Sequence, residues 1–91
     1  MQFRISLHSG SGAPPDALDL LAERLGSSRE GFSFAHAGGA ITATWREGGP
    51  SNRTEEERAE IGRGEALGVV RGVCEREPGL KLDWFAVHPP R

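Results

Sequence analysis

Three histidines and one cysteine are the residues of this sequence most suited to metal binding or acid–base chemistry. His8, His36 and His88 lie far apart in the chain, and none has a cysteine or carboxylate at metal-ligand spacing. Cys74 is the only cysteine, which excludes an internal disulfide and every paired-cysteine zinc or redox motif. The sequence therefore predicts no metal site, no cofactor and no assembled catalytic group.

Cys74 falls on the apolar positions of a predicted helix, together with Val70 and Val73. No histidine or aspartate precedes it at a spacing that would activate a nucleophile, so we interpret it as a small buried thiol. An enzyme is not favoured. The enzymatic alternative is a dimeric α+β barrel in which His8 acts as acid or base in a pocket between an open sheet and its partner.

Two arginines are candidates for binding an anion. Arg4 and Arg46 fall near the same end of two strands that we predict to be antiparallel neighbours, where like charges repel unless a negative charge lies between them. Asp83 or Glu47 can supply that charge in a solvated salt-bridge network. The alternative is an anionic ligand or the acidic surface of a partner.

A second candidate for anion binding is the turn Ser9-Gly10-Ser11-Gly12, which precedes a predicted helix. It lacks the lysine and the full glycine spacing of a phosphate-binding loop, so it is interpreted first as a flexible turn. Anion binding there is the alternative, because a helix N-terminus attracts negative charge. The candidate ligand-binding residues are thus Arg4, Arg46, His8, Ser9 and Ser11.

Glycine recurs every four residues in the second predicted helix, at Gly64, Gly68 and Gly72. On a helical wheel these glycines fall with Ile61, roughly opposite the apolar stripe. Each costs the helix about 0.5–1 kcal/mol relative to alanine. Either a GC-rich genome supplies glycine freely, or this smooth ridge lets the backbone of a partner approach closely.

The elements that must position these residues follow from periodicity. Alternation of apolar and polar side chains predicts strands over 3–7, 32–35, 41–46 and 80–87. A first helix opens at Pro14-Pro15 and stops at Gly26, since proline suits a helix start and glycine its end. Thr54 and Glu57 form a capping-box pattern for a second helix that runs to about Glu77.

The order strand-helix-strand-strand-helix-strand resembles the ferredoxin-like fold over the whole chain. This resemblance implies an α+β, two-layer βαββαβ sandwich with an antiparallel sheet of order 4-1-3-2 and both helices on one face. It implies no function, because that fold serves many unrelated activities.

Strand alternation assigns the open face of this sheet a mostly polar set of side chains without aromatic residues on the central strands, so RNA recognition is not favoured. Phe85 and Val87 add an apolar margin that a partner or second subunit would cover. The predicted face comprises Arg4, Ser6, His8, Thr42, Thr44, Arg46, Lys81, Asp83, Phe85 and Val87. The candidate partner interface comprises Ile61, Gly64, Gly68, Gly72, Phe85 and Val87.

The 91 residues suffice for one domain, 1–91, with 88–91 as an exposed proline-rich tail. A net charge of −2 with mixed signs favours neither nucleic acid nor a membrane as partner. Without an apolar leader pattern, we expect a cytoplasmic protein.

The predicted function is a non-catalytic interaction or self-association module with a protein partner or homodimer, either whole or as the terminal domain of a larger protein. The alternative is a domain that binds a small anionic ligand.

Overall fold

The computed structural model describes residues 1–46 and 52–89. The two helices, α1 and α2, and five strands, β1 to β5, follow one another as β1 (Gln2–Leu7), α1 (Ala17–Leu25), β2 (Ser28–Arg29), β3 (Phe32–Ala37), β4 (Ala40–Trp45), α2 (Glu55–Arg76) and β5 (Phe85–His88). Neither helix is long and apolar enough to cross a membrane within these described ranges.

The five strands form one antiparallel sheet in the order β2-β3-β4-β1-β5. Buried side chains from both helices join those of the sheet in a single cluster, so the helices share one face and the α+β class is confirmed. The observed sheet differs from the predicted four-strand layout 4-1-3-2: the four predicted strands follow one another as β5-β1-β4-β3, and an additional strand, β2, lies at the outer side of β3.

Strand β2 exists because the chain reverses tightly at Glu30 and Gly31. Both residues have positive φ, 49° and 87°, as a two-residue type I′ hairpin requires. Beyond the two paired residues, the Phe34 N–H donates to the Ser27 carbonyl at 2.9 Å, which extends the backbone pairing with β3 by one residue. Periodicity could not predict this strand, because two residues carry no alternation and glutamate rarely adopts positive φ.

The helix boundaries follow local signals. Helix α1 ends at Leu25, and Gly26 adopts φ 76° while its N–H donates to the Ala22 carbonyl. At the start of α2, the Thr54 hydroxyl accepts from the Glu57 N–H at 3.1 Å, and the Glu57 carboxylate accepts from the Thr54 N–H at 3.3 Å. The predicted capping box is therefore confirmed.

The last strand was predicted incorrectly. Residues Leu82–Trp84 form a single 3₁₀ turn, and β5 spans only Phe85–His88. Only the four residues of β5 therefore alternate between the two faces of the sheet. Phe85 and Val87 point into the core, where they are 2% and 3% exposed. The two residues do not lie on the open face. Lys81 and Asp83, also predicted there, precede the strand.

Aromatic rings form the part of the core beneath α2. The Phe3 ring centroid lies 6.4 Å from those of Phe32 and Trp45, and Phe32 stacks on Phe34 at 6.0 Å. Gly62 of α2 lies directly against this layer. A Cβ atom at Gly62 would be 2.5 Å from Phe3 Cζ and 2.6 Å from Trp45 Cε3, so the helix can approach the rings only with glycine at this position.

We predict that Gly62→Ala lowers the free energy of unfolding by about 1–2 kcal/mol, because overpacking a core costs about 1–3 kcal/mol and alanine returns at most about 1 kcal/mol of helix propensity. Gly68→Ala is the matched control on the same helix, since a Cβ there meets no atom within 4 Å. It should raise stability by about 0.5–1 kcal/mol. Urea unfolding followed by circular dichroism measures both, and an unchanged or raised stability of Gly62→Ala would contradict the packing argument.

Candidate functional site

The open face of the sheet brings together Arg4, Ser6, Thr42 and His88, here called the Arg4 cluster. Arg4 on β1 stands opposite Thr42 of β4 and opposite His88 of β5. The Ser6 hydroxyl lies 2.8 Å from His88 Nε2, a diagonal contact between β1 and β5. A guanidinium, an imidazole and two hydroxyls thus occupy neighbouring positions on three strands.

The surroundings of this cluster are small side chains. The register of the four strand pairs assigns the open face only serine, threonine, alanine and glutamine besides Arg4 and His88. No carboxylate occurs among these described positions. The face comprises Gln2, Arg4, Ser6, Ser28, Ser33, Ala35, Ala37, Ala40, Thr42, Thr44, Ala86 and His88. Most of these residues are polar, and Arg4 is the charged residue among them.

The Arg4 side chain is exposed and has no hydrogen bond or ion pair with another described residue. Of the two acidic residues that the sequence suggested as its partner, Asp83 forms no ion pair with it. Asp83 lies in the 3₁₀ turn before β5, and Glu47 lies outside the described residues. An anion that approached this face would meet a guanidinium that has no partner among the described residues and is flanked by hydroxyl groups.

Arg46 is not part of the cluster. The register places Arg4 opposite Thr42, four residues before Arg46, which corresponds to about 13 Å along a strand. Arg46 follows the end of β4, and its backbone N–H donates to the Gly31 carbonyl at 2.9 Å. As predicted, β1 and β4 are antiparallel neighbours and both arginines belong to the same end of the pair, but the register leaves the two residues well apart along the strands.

The distance between Ser6 and His88 is that of a hydroxyl activated by a base. A nucleophilic pair also needs a third group that orients the imidazole, and no described carboxylate bonds to Nδ1 of His88. The contact joins residues separated by 82 positions and fastens β5 to β1 on the open face. It keeps the His88 side chain on the open face, where the register places His88 opposite Arg4.

The serine-glycine turn lies apart from the Arg4 cluster. His8 is exposed at the end of β1, where its N–H donates to the Trp84 carbonyl and its carbonyl accepts from Ser11. The Ser11 hydroxyl accepts from the Ala13 N–H at 3.2 Å, so it is already engaged within the turn. Ser9 is exposed. Helix α1 begins only at Ala17, which separates this turn from the helix N-terminus.

The three histidines do not converge. His36 faces the helix layer, as predicted, and its Nε2 lies 3.3 Å from an oxygen of Asp19 on α1. His88 and His8 belong to opposite ends of the β1–β5 pair. Within the described ranges, no group of three His, Cys, Asp or Glu side chains could hold a metal ion.

The outward side of α2 carries Ile61, Gly64, Gly68 and Gly72, here called the glycine ridge. A Cβ atom on any of the three glycines would meet open space. Ile61 is 38% exposed and is the exposed large hydrophobic side chain of the described residues. Of the candidate partner residues, these four lie at the surface, whereas Phe85 and Val87 belong to the core.

Sequence reasoning missed Ser6 and His88 as site residues and Gly62 as a packing residue. The Ser6–His88 contact depends on the register of two strands at opposite ends of the chain, for which no local signal exists. Gly62 precedes Gly64 by two positions and so falls outside the four-residue repeat. Its position on the buried side of the helical wheel, beside Ala66, was the available signal.

Cys74 is half-buried on α2, and this burial raises the pKa of its thiol. We predict that the folded chain reacts more slowly with a disulfide reagent than the urea-unfolded chain at the same pH, because the thiolate is the reactive form.

The raised pKa of Cys74 also affects the stability of the fold. The unfolded chain loses the thiol proton at a lower pH than the folded chain, so the free energy of unfolding should fall as the pH rises from about 8 to about 10. Cys74→Ala should lack this component of the pH dependence in urea titrations, and an equal dependence in both chains would contradict it.

A scan against protein-family models, a search of curated proteins and a search of solved structures found no match to this chain. The function of the domain is therefore inferred from the contacts, burial and charge of its described residues.

Proposed function

We propose that this domain is a non-catalytic binding module that receives an anionic group on the open face of its sheet. The observation that carries the proposal is the position of Arg4: an exposed guanidinium without an ion pair to any described residue, on a face without a described carboxylate. A carboxylate or phosphate bound at this position would form charge-assisted hydrogen bonds with the guanidinium, which are stronger than hydrogen bonds between neutral groups.

The neighbours of Arg4 suit such a group. The Thr42 hydroxyl can donate a hydrogen bond to such a group, and so can one member of the Ser6–His88 pair, because their mutual contact uses the donor of the other; all three residues stand within one strand of Arg4. The remaining side chains of the face are short, so the backbone of a bound peptide or a planar ligand can approach the sheet closely. An acidic segment of a protein partner and a small carboxylate or phosphate ligand share this chemistry.

The two-layer architecture of the domain is consistent with the same proposal. Strands β5, β1, β4 and β3 are neighbours in that sequence across the sheet, with both helices behind them. Such a two-layer fold has one covered and one uncovered face, and the uncovered face is available for binding.

We predict that phosphate, citrate or a short polyglutamate peptide raises the melting temperature of the parent chain by several degrees at concentrations well above its Kd. Arg4→Ala should abolish the rise. Arg46→Ala is the matched control, because it removes an exposed arginine at a distance from the cluster, and it should retain the rise.

Chloride at equal ionic strength corrects for screening. A rise with peptide alone assigns the face to an acidic protein segment, and a rise with citrate or phosphate assigns it to a small ligand. Binding would be refuted if no anion stabilised the parent, or if Arg46→Ala lost the effect and Arg4→Ala kept it. Amide shift changes in NMR spectra at Thr42 and Ser6 would place the bound anion directly.

A second candidate function is association through the glycine ridge. It is favoured by the open space beside all three glycines and by the exposed Ile61. A groove of about 350 Å³ adjoins Gly68 and Gly72 and is flanked by Arg29 and Arg76. Small side chains on a helix permit the close approach of another backbone, which increases the packing contacts between the two.

If the ridge binds a partner or a second copy, Gly68→Ala should stabilise the isolated domain and weaken its association. Thermal unfolding and sedimentation velocity on the same samples give both quantities. A stabilised domain with unchanged association would mean that the glycines have no role in binding.

A further inference from the structure

The outer edge of β3 is paired over only part of its length. Strand β2 pairs with Phe32 and Ser33, and the Ser27 carbonyl accepts the Phe34 N–H at 2.9 Å. Beyond Phe34, no described backbone group pairs with this side of β3. The strand itself continues to Ala37.

The direction of the backbone groups of β3 follows from the bonds around it. The Phe34 N–H points away from β4, toward Ser27, and successive residues of a strand alternate in direction. The N–H and C=O of Ala35 and Ala37 therefore face β4. Those of His36 face outward, and all three residues are exposed at this edge.

The opposite edge of the sheet is protected. The bond from the His8 N–H to the Trp84 carbonyl fixes the alternation of β5, so the Val87 backbone groups point away from β1. The Arg63 side chain of α2 reaches this edge, and its Nε donates to the Val87 carbonyl at 2.8 Å. A side-chain donor thus occupies the acceptor that another strand would need.

The uncovered part of the β3 edge lacks the residue types by which proteins often block strand addition. The strand reads Phe-Ser-Phe-Ala-His-Ala over 32–37, without proline, lysine or arginine. Ala35 and Ala37 present only methyl groups on the open face, so they leave room for a neighbouring strand. An edge of this kind is a template for one more antiparallel strand.

A second copy of the same edge meets the requirements of this template. In an antiparallel pair about a two-fold axis at His36, each His36 N–H donates to the His36 carbonyl of the other copy, so both unpaired groups are satisfied at once. The side chains beside this edge also permit the pairing of two copies. Each His36 carries its own Asp19 at 3.3 Å, so two neighbouring imidazoles are accompanied by two carboxylates.

We propose that two copies of this chain associate edge to edge through β3, joining two five-stranded sheets into one. The contact is small compared with a standard interface of about 1,600 Å², so the association is weak and depends on concentration. It leaves the Arg4 cluster accessible in both copies and does not rest on the anion-binding function proposed above.

Sedimentation velocity of the full chain from roughly 10 µM to 1 mM covers the range of weak dimers. We expect a monomer at the low end and a dimer at the high end. His36→Pro removes the outward N–H without removing a bond to β4, and it should raise the dimer Kd about tenfold or more. His36→Ala is the matched control: it loses the Asp19 contact but keeps the N–H, and its Kd should stay within a few-fold of the parent.

Amide hydrogen exchange of the unmodified chain tests the same edge without a substitution. Protection of the His36 N–H should increase with protein concentration, whereas the Ala37 N–H, which faces β4, should be protected throughout. A chain that remains monomeric at 1 mM, or a dimer in which the His36 N–H exchanges freely, would overturn the proposal. So would a dimer that Gly68→Ala dissociates and His36→Pro does not, which would assign the contact to the glycine ridge instead.

Discussion

The close approach of α2 to the aromatic layer of the sheet is the contact on which the rest of the structure depends. At Gly62 the helix backbone lies against Phe3 and Trp45 without room for a Cβ atom. This fixes the height of the helix above the sheet, and Arg63, the next residue, can then reach the Val87 carbonyl at the edge of β5. The same placement turns Gly64 and Gly68 toward solvent. One glycine thereby couples the packing of the core to the closing of one sheet edge.

The asymmetry of the sheet follows from that arrangement. Both helices cover one face, so all large apolar side chains of the strands face inward and the open face is left with short polar residues. Arg4 is the charged residue of that face without an ionic partner in the described chain. The two edges differ as well, because α2 reaches β5 and β2 covers only the first residues of β3. The proposed binding surfaces are thus the places that the two helices and the short β2 leave uncovered.

Local signals predicted most of the elements, and their failures have physical reasons. The capping box at Thr54 was predicted correctly because it needs only residues three apart. In the last strand, Leu80, Leu82 and Trp84 compete with Phe85 and Val87 as the apolar series, and a period of two fits either. The register with β1 places Phe85 and Val87 on the buried face, because they stand opposite Leu7 and Ile5, which face the helices. Residues Leu82–Trp84 form a 3₁₀ turn, so the alternation of the preceding apolar residues does not continue into β5.

The sequence by itself determined the class of the fold, the start of α2, the C-terminal ends of both helices, the β3–β4 hairpin and the outward glycine ridge, because each depends on residues close together in the chain. Only the tertiary structure decided which strands pair in which register. That decision separated Arg4 from Arg46, placed His88 beside Arg4 and bonded it to Ser6 across 82 positions. A shift of one residue moves a side chain to the opposite face of the sheet, and the register is set by burial and turn geometry over the whole domain. The candidate site therefore consists of residues that become neighbours only when the core has formed.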